Sequence, residues 1–398
     1  MFYVRILKQC RIKAQRSISV IAILLLSANT VVAHDGDAEE WNPYDHYPAY
    51  LFPGEPLAED EIRVIALGTG TPTVRRGQFS PSFLVELGNG FKFQFDVGTG
   101  SHANFIPLGI PYKDVNHIFI SHLHTDHVGD LDAFWTARTW GVNESLKVYG
   151  PSGRNEEEGT AAFIENFLKT YIWDRRSRQG ILNPLAQTIE AHQFDYSKKS
   201  VVFERDGAKI TAFPAVHALD GAVSYRLDWK GYSVVYSGDT KPTKWLIDNS
   251  KGVDLLIHES FPSPKIFAKK IGISLEMAEN ISQGVHTPPN SVGKIFELTK
   301  PKLAALYHLY FTPDIVNSTW DEVRETYKGP LIIVDDLTVF NIGKNGVFVR
   351  EAINAPNAMP RTDPSTAGKE QDLEDKIPMS EWLKAGEYKF EETNTELQ

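Results

Sequence analysis

From Ile62 onward the chain is written in short apolar runs separated by Gly-containing turns, the first four being IRVIALG, SFLVELG, FKFQFDVG and HIFIS. Runs rich in β-branched and aromatic residues and bounded by turn residues predict strands, and four in succession predict a sheet. A stretch near 156–172 predicts a helix, and a second β series follows it: VVFE, KITAFPAV, VSYRLDW, YSVVYSGD, DLLIHE, LAALYH and LIIVDD. Two strand-rich halves with helices between them imply two sheets. The segment SVGKIFELTK, after Thr287-Pro288-Pro289-Asn290, predicts a helix in which Thr287 can cap and proline fits the first turn.

The flanks read differently. Residues 34–60 are rich in Pro, Tyr and acids without a period, which predicts an arm ahead of a domain spanning 61–350. Residues 351–398 are polar and Pro-containing, a flexible tail in which MSEWLKAGEYKF could dock. The first 33 residues carry Arg5, Lys8, Arg11, Lys13 and Arg16 but no acid, then an apolar run from Ile18 to Leu26 and the residues Val31-Val32-Ala33. This pattern predicts a signal peptide cut after Ala33 and an exported, periplasmic or secreted protein with no membrane span once matured; an uncleaved anchor is the alternative. Cys10, the only cysteine, lies in this leader, so the mature chain is expected to hold neither thiol nor disulfide. Lys and Arg number 41 against 51 Asp and Glu, a net charge of −10, and loss of the basic leader makes the remainder more acidic. Such a chain repels polyanions, which makes nucleic acid an unlikely partner.

The sharpest chemical signal is Ser121-His122-Leu123-His124-Thr125-Asp126-His127-Val128-Gly129-Asp130, directly after the strand HIFIS. Two-residue alternation points His122 and His124 to one side, and the turn that follows brings Asp126 and His127 to an adjacent position, so one loop can serve two metals. Imidazole and carboxylate ligands without thiolate suit zinc first, and manganese or iron next, in a site that keeps a position open for water. The aromatic residues Phe134, Trp135 and Trp140 beyond the loop are candidate walls of a cleft for a flat substrate, or else helix core.

The H-x-H-x-D-H run after a strand resembles the motif of the metallo-β-lactamase superfamily, and the resemblance covers about residues 62–345. It implies an α/β fold, the αββα sandwich of two mixed β-sheets flanked by helices. It implies further that His122, His124 and His217 hold a first divalent metal, that Asp126, His127 and His308 hold a second, and that Asp239 bridges both. His217 closes the run ITAFPAVHA, Asp239 sits in YSGDT and His308 ends LAALYH, all at predicted strand termini.

Further pieces resemble the branch containing ribonuclease Z, related phosphodiesterases and alkyl or aryl sulfatases. Leu67-Gly68-Thr69-Gly70-Thr71-Pro72 resembles that branch's Gly-rich turn, and Asp96-Val97-Gly98-Thr99-Gly100 a segment whose Asp supports a metal-binding histidine. His258-Glu259-Ser260-Phe261 resembles a His-Glu-Ala-Thr motif altered at its last two positions, and His286-Thr287 resembles a His-Ser/Thr motif. The resemblance implies a Glu259–His286 acid pair that protonates the leaving group, with Asp126 orienting a hydroxide shared by the metals. Where ribonuclease Z enzymes carry a basic Gly/Pro-rich arm, this chain has the acidic insert NEEEGTAAFIENFLKTYIW. Arg175, Arg176 and Arg178 beside it could meet a phosphate or sulfate, or form a solvated turn. The expected function is hydrolysis of a small phosphodiester or other anionic ester. A ribonuclease Z-like endonuclease and a non-catalytic metal- or ligand-binding protein are the alternatives; natural substrate, loaded metal and oligomeric state, a homodimer included, stay open.

Overall fold

The computed structural model describes residues 47–361 and 375–388, so the leader, its cleavage point at Ala33 and the first part of the arm lie outside the described residues. Among the described residues sixteen strands form in chain order. The first seven are β1 (Tyr50–Leu51), β2 (Ile62–Gly68), β3 (Ser82–Leu87), β4 (Lys92–Phe95), β5 (Val115–Phe119), β6 (Leu146–Pro151) and β7 (Ile189–Phe194). The next seven are β8 (Ser200–Arg205), β9 (Ala208–Pro214), β10 (Val223–Trp229), β11 (Tyr232–Tyr236), β12 (Leu255–Glu259), β13 (Leu303–Tyr307) and β14 (Leu331–Ile333). The chain then returns to the first sheet with β15 (Thr338–Gly343) and β16 (Gly346–Ala352). The sheets have the orders β1-β16-β15-β2-β3-β4-β5-β6-β7 and β14-β13-β12-β11-β10-β9-β8. Both are mixed: β4 through β7 pair parallel and β15-β2-β3-β4 antiparallel, while β11 through β14 pair parallel and β8 through β11 antiparallel.

Strand periodicity explains why the sheets stack. In β2, Ile62, Val64 and Ala66 face the layer between the sheets, while Ile65 and Leu67 face the layer under the outer helices. In β13, Leu303, Ala305 and Tyr307 face the same middle layer, and Ala304 and Leu306 the opposite outer one. A strand covered on both faces reads as a continuous apolar run, which is why these segments stand out in the sequence. The first outer layer contains helix Leu131–Arg138 and the second contains helices Pro289–Thr299 and Pro313–Arg324, which gives the four-layer αββα order.

Several expectations are corrected in detail. Phe134 and Trp135 are fully buried in the outer core and wall no cleft, whereas Trp140 is exposed under the Arg178 guanidinium. Arg178 is paired with Asp174. Helix Pro289–Thr299 forms with proline in its first turn, but Thr287 does not cap it; its hydroxyl donates to the Thr240 carbonyl. The second half of the arm is tied to the sheet, since β1 pairs with β16 and the Glu55 carboxylate forms ion pairs with both Arg63 and Arg350. Within the segment 351–398, β16 extends to Ala352 and a short helix spans Glu381–Ala385. Among the described residues no helix is long and apolar enough to cross a membrane.

His117 on β5 is buried between the rings of Phe91, Tyr149 and Phe203. Burial, reinforced by Lys147, pushes its imidazole down to about 4. An unfolded-state value near 6.5 means that the unfolded chain binds the extra proton between these limits, so stability is full above that range and falls as pH drops through it. His117→Phe is expected to flatten the pH slope of stability between pH 6.5 and 4 by about 1.4 kcal/mol per pH unit, read from urea midpoints in chelator.

Candidate metal centre

The site is assembled where strands end. Asp96 follows β4, His122 follows β5, His217 follows β9, Asp239 follows β11, Glu259 closes β12 and His308 follows β13. Because β4, β5, β9, β11, β12 and β13 all point to one edge of the sandwich, their carboxyl ends gather residues far apart in sequence, the usual place for a site in such sheets. The edge is narrow. Gly238, at φ +58, turns the chain into Asp239 so close to Ser121 that a Cβ there would lie 2.8 Å from the serine Cβ. The Val223 N–H donates to the Ser121 carbonyl at 3.0 Å and joins the sheets at this point.

Among the described residues three groups of side chains could hold an ion; two of them share Asp239, and the third, Glu259, His286 and His308, shares His308 with the second. His122, His124, His217 and Asp239 form the first, and Asp126, His127, His308 and Asp239 the second. His124 Nδ1 lies 3.0 Å from His122 Nε2 and 3.1 Å from His217 Nε2. Asp239 Oδ2 stands 3.9 Å from His122 Nε2, 3.8 Å from His217 Nε2 and 3.2 Å from His308 Nε2, while its Oδ1 is 3.3 Å from His127 Nε2. Asp126 Oδ2 lies 3.4 Å from His308 Nε2 and 3.7 Å from His127 Nε2. Ligand atoms about 2.0–2.1 Å from a common tetrahedral zinc are roughly 3.4 Å apart, so both clusters have the dimensions to hold such an ion.

The electrostatics point the same way. Burial penalises charge on His127, yet Asp239, Asp126 and Asp96 outweigh it and raise its imidazole well above the ordinary value. Burial likewise opposes ionisation of Asp239, but the imidazoles around it, His308 foremost, hold it well below the usual carboxylate range. In the first cluster burial dominates: it pushes His122 well down and His217 to about 4, which keeps both neutral and able to donate a lone pair. His127 Nε2 and Asp239 Oδ1 are buried without a hydrogen-bond partner among the described residues. In the metal-free chain a proton on His127 Nε2 offsets the Asp239 oxygen 3.3 Å away, and a bound cation would take the place of that proton, so these residues fit a metal.

Supporting contacts fix the rings. The Asp96 carboxylate accepts four hydrogen bonds: from Ser121 N–H and Oγ at 2.7 Å each, from His127 Nδ1 at 2.7 Å and from the Tyr236 hydroxyl at 2.6 Å. The bond to Nδ1 sets the tautomer of His127 and turns Nε2 to the cluster. His217 Nδ1 donates to the Val285 carbonyl at 2.7 Å with the same effect. The sequence motifs give Ser121 no role beyond opening the ligand loop and give Tyr236 and Val285 none; Tyr236 stands beside Asp239 in YSGDT, but its partner is 140 residues away.

Glu259 and His286 meet beside this centre. His286 Nδ1 is 3.0 Å from Glu259 Oε1 and 3.9 Å from Asp239 Oδ2. The Thr240 N–H donates to the same Glu259 oxygen at 3.0 Å, and Phe261 stacks flat on His286 with ring centroids 4.5 Å apart. Burial pushes Glu259 up; it would push His286 down, but the neighbouring Glu259 raises it instead. The pair therefore retains a proton, with imidazole Nε2 on the side away from the carboxylate.

A four-layer sandwich with a buried cluster of imidazoles and carboxylates at its strand ends defines a metal-dependent hydrolase of the metallo-β-lactamase fold. Residues 62–263, half of the chain, match the sequence family described as Anti-Pycsar protein Apyc1, and the chain belongs to that family. It is 32% identical to ribonuclease Z of Mycobacterium avium (strain 104) over 203 residues, 50% of this chain and 69% of that protein. Ribonuclease Z of Mycolicibacterium gilvum (strain PYR-GCK) is 30% identical over 203 residues, covering 50% and 68%. Among solved structures, the metallo-β-lactamase fold protein YhfI from Bacillus subtilis is similar at TM-score 0.54 and 18% identity, over 71% of this chain and 100% of its own. Human tRNase Z, short form (ELAC1), is similar at TM-score 0.51 and 17% identity, over 70% and 98%. At such identities the likeness to these two structures is one of fold.

Replacing Asp96 by Asn removes the charged acceptor behind His127. Zinc affinity is expected to fall about 10- to 100-fold, the usual cost of losing such a partner, in competition titrations against a chromophoric chelator, with the circular dichroism spectrum retained.

Proposed function

We propose that the protein hydrolyses a small phosphodiester, or a comparable anionic ester such as a sulfate, at a centre of two divalent metal ions. The observation that carries this reading is the sharing of Asp239 by two ligand clusters, with a buried acid pair 3.9 Å from it. His122, His124 and His217 would hold one ion, Asp126, His127 and His308 the other, and Asp239 both. Zinc suits the donor set best, manganese or iron next. Bound there, the ions supply positive charge that acidifies water and offsets charge developing on the ester.

The chain's own residues supply the proton traffic. Burial disfavours an ionised Asp126, but His127 and His308 overcome it and hold the carboxyl below its usual range, so Asp126 is an acceptor at neutral pH that can orient a water O–H. His286 carries a proton on a ring fixed from three directions, by Glu259, by the stacked Phe261 and by the main chain after Val285, whose carbonyl holds His217. A proton held near neutrality on a fixed ring is what protonation of a departing alkoxide requires. Glu259 orients the ring and raises its basicity.

The acidic surface favours a small anionic ester over a polyanion, and the basic-then-apolar leader supports action outside the cytoplasm. A ribonuclease Z-like endonuclease is the second reading, favoured by the ribonuclease Z relatives. Helix Thr160–Thr170 and the glutamates ahead of it give that reading no basic footprint.

His286→Ala and Glu259→Gln are expected to lower turnover of a chromogenic phosphodiester by roughly 10²- to 10⁴-fold with metal content unchanged. Asp239→Ala should lose metal as well as activity. Wild-type turnover in a fully loaded His286→Ala protein would remove the acid from the mechanism. Turnover of the small ester should change little with salt between about 50 and 200 mM, whereas cleavage of a polynucleotide held through many phosphates would lose affinity by ~10³-fold or more.

A further inference from the structure

The Gly-rich turn after β2 has so far no part in the chemistry, yet the chain packs it against the end of β13. A Cβ on Gly68 would lie 1.9 Å from the Ser80 carbonyl oxygen, so the hairpin 68–80 closes tightly on itself. The Thr69 carbonyl accepts the backbone N–H of His308 at 2.7 Å. His308 is in the left-handed region, at φ +66, a conformation that costs a residue with a Cβ about 1 kcal/mol or more and persists only where its surroundings impose it. This reversal aims the imidazole back across the sheet edge at Asp126 and Asp239.

Two side chains, Gln78 buried and Asp336 half-buried, hold the imposing segment in place. Asp336, in the connection between β14 and β15, accepts from the Thr69 hydroxyl at 2.8 Å, the Phe79 N–H at 2.7 Å and Asn104 Nδ2 at 3.2 Å. Gln78 donates from Nε2 to the Leu309 carbonyl at 2.8 Å and to the Thr69 hydroxyl at 3.3 Å, while its Oε1 accepts the Phe311 N–H at 3.0 Å and a bond from Arg75. Bonding the carbonyl of one residue and the N–H of the second residue after it, the Gln78 amide acts as a one-residue strand against the backbone that leaves His308. Glutamine suits the task because its donor and acceptor sit side by side at the end of a reach that Asn lacks.

We propose that Gln78 and Asp336 are positioning residues which, through Thr69, hold the His308 backbone in its left-handed conformation and so set the geometry of the second metal cluster. The inference rests on the reading above in which His308 is a ligand. It explains three otherwise unconnected features: the Gly-rich turn, the three hydrogen bonds accepted by the half-buried Asp336 carboxylate and the unusual backbone of His308.

Zinc and cobalt(II) titrations of the metal-free full chain, by calorimetry and by the visible cobalt spectrum, test it with Gln78→Leu, Asp336→Asn and His308→Ala. The wild type is expected to take two equivalents and His308→Ala to lose one. Gln78→Leu should weaken that same equivalent by about 10- to 100-fold and leave the other unchanged. Asp336→Asn should weaken it in the same way, which keeps the test decisive if Gln78→Leu does not fold. Loss of an equivalent in His308→Ala beside wild-type titrations of folded Gln78→Leu and Asp336→Asn, or an equal weakening of both equivalents in them, overturns the positioning role alone. Two equivalents retained in His308→Ala overturn the ligand reading and the positioning role with it.

Discussion

Asp239 is an anion at 2% exposure, ringed by imidazoles from four different parts of the chain, and the rest of the structure is arranged around making that tolerable. A carboxylate so placed is stable only if positive charge or hydrogen-bond donors surround it. The histidines cannot all supply protons, because burial disfavours charge on His122 and His217. What remains is a cavity of lone pairs with a net demand for cations, and two ligand clusters that meet at one residue.

Meeting that demand requires rigidity more than affinity at any single ligand. Residues behind the ligands therefore carry much of the structural detail: Asp96 behind His127, the Val285 carbonyl behind His217 and Thr69 behind His308, with Glu259 doing the same for the acid His286. Three of the turns that deliver these groups use left-handed backbone, at Asp96, Gly238 and His308. A strand that ends by turning sharply can present a side chain over the sheet edge, and the sandwich core beneath prevents the strained turns from relaxing.

Much of this was legible without coordinates. The strands after Ile62 and again after Val201 stand out because both faces are buried, and a chain covered on both sides cannot interrupt its apolar run. Strands β7, β15 and β16 lie outside that pattern. β7 is an edge strand with Glu190, His192 and Gln193 exposed, so it carries little apolar signal. β15 and β16 form a hairpin whose only local marker is the turn Lys344-Asn345-Gly346.

The sequence by itself determined the two strand-rich halves and the dense ligand loop at 122–127, because these depend on local periodicity and on the chemistry of side chains close together in the chain; the fold class and the residues that complete the site were implied by the resemblance of its motifs. Tertiary structure alone decided that Tyr236 reaches Asp96 across 140 residues, that Val285 holds the His217 ring, and that Gln78 reaches Leu309 across 231. It also decided which aromatic residues are core. Such relations depend on which strand ends the packed sheets bring to one edge, and strand order is not carried by local periodicity.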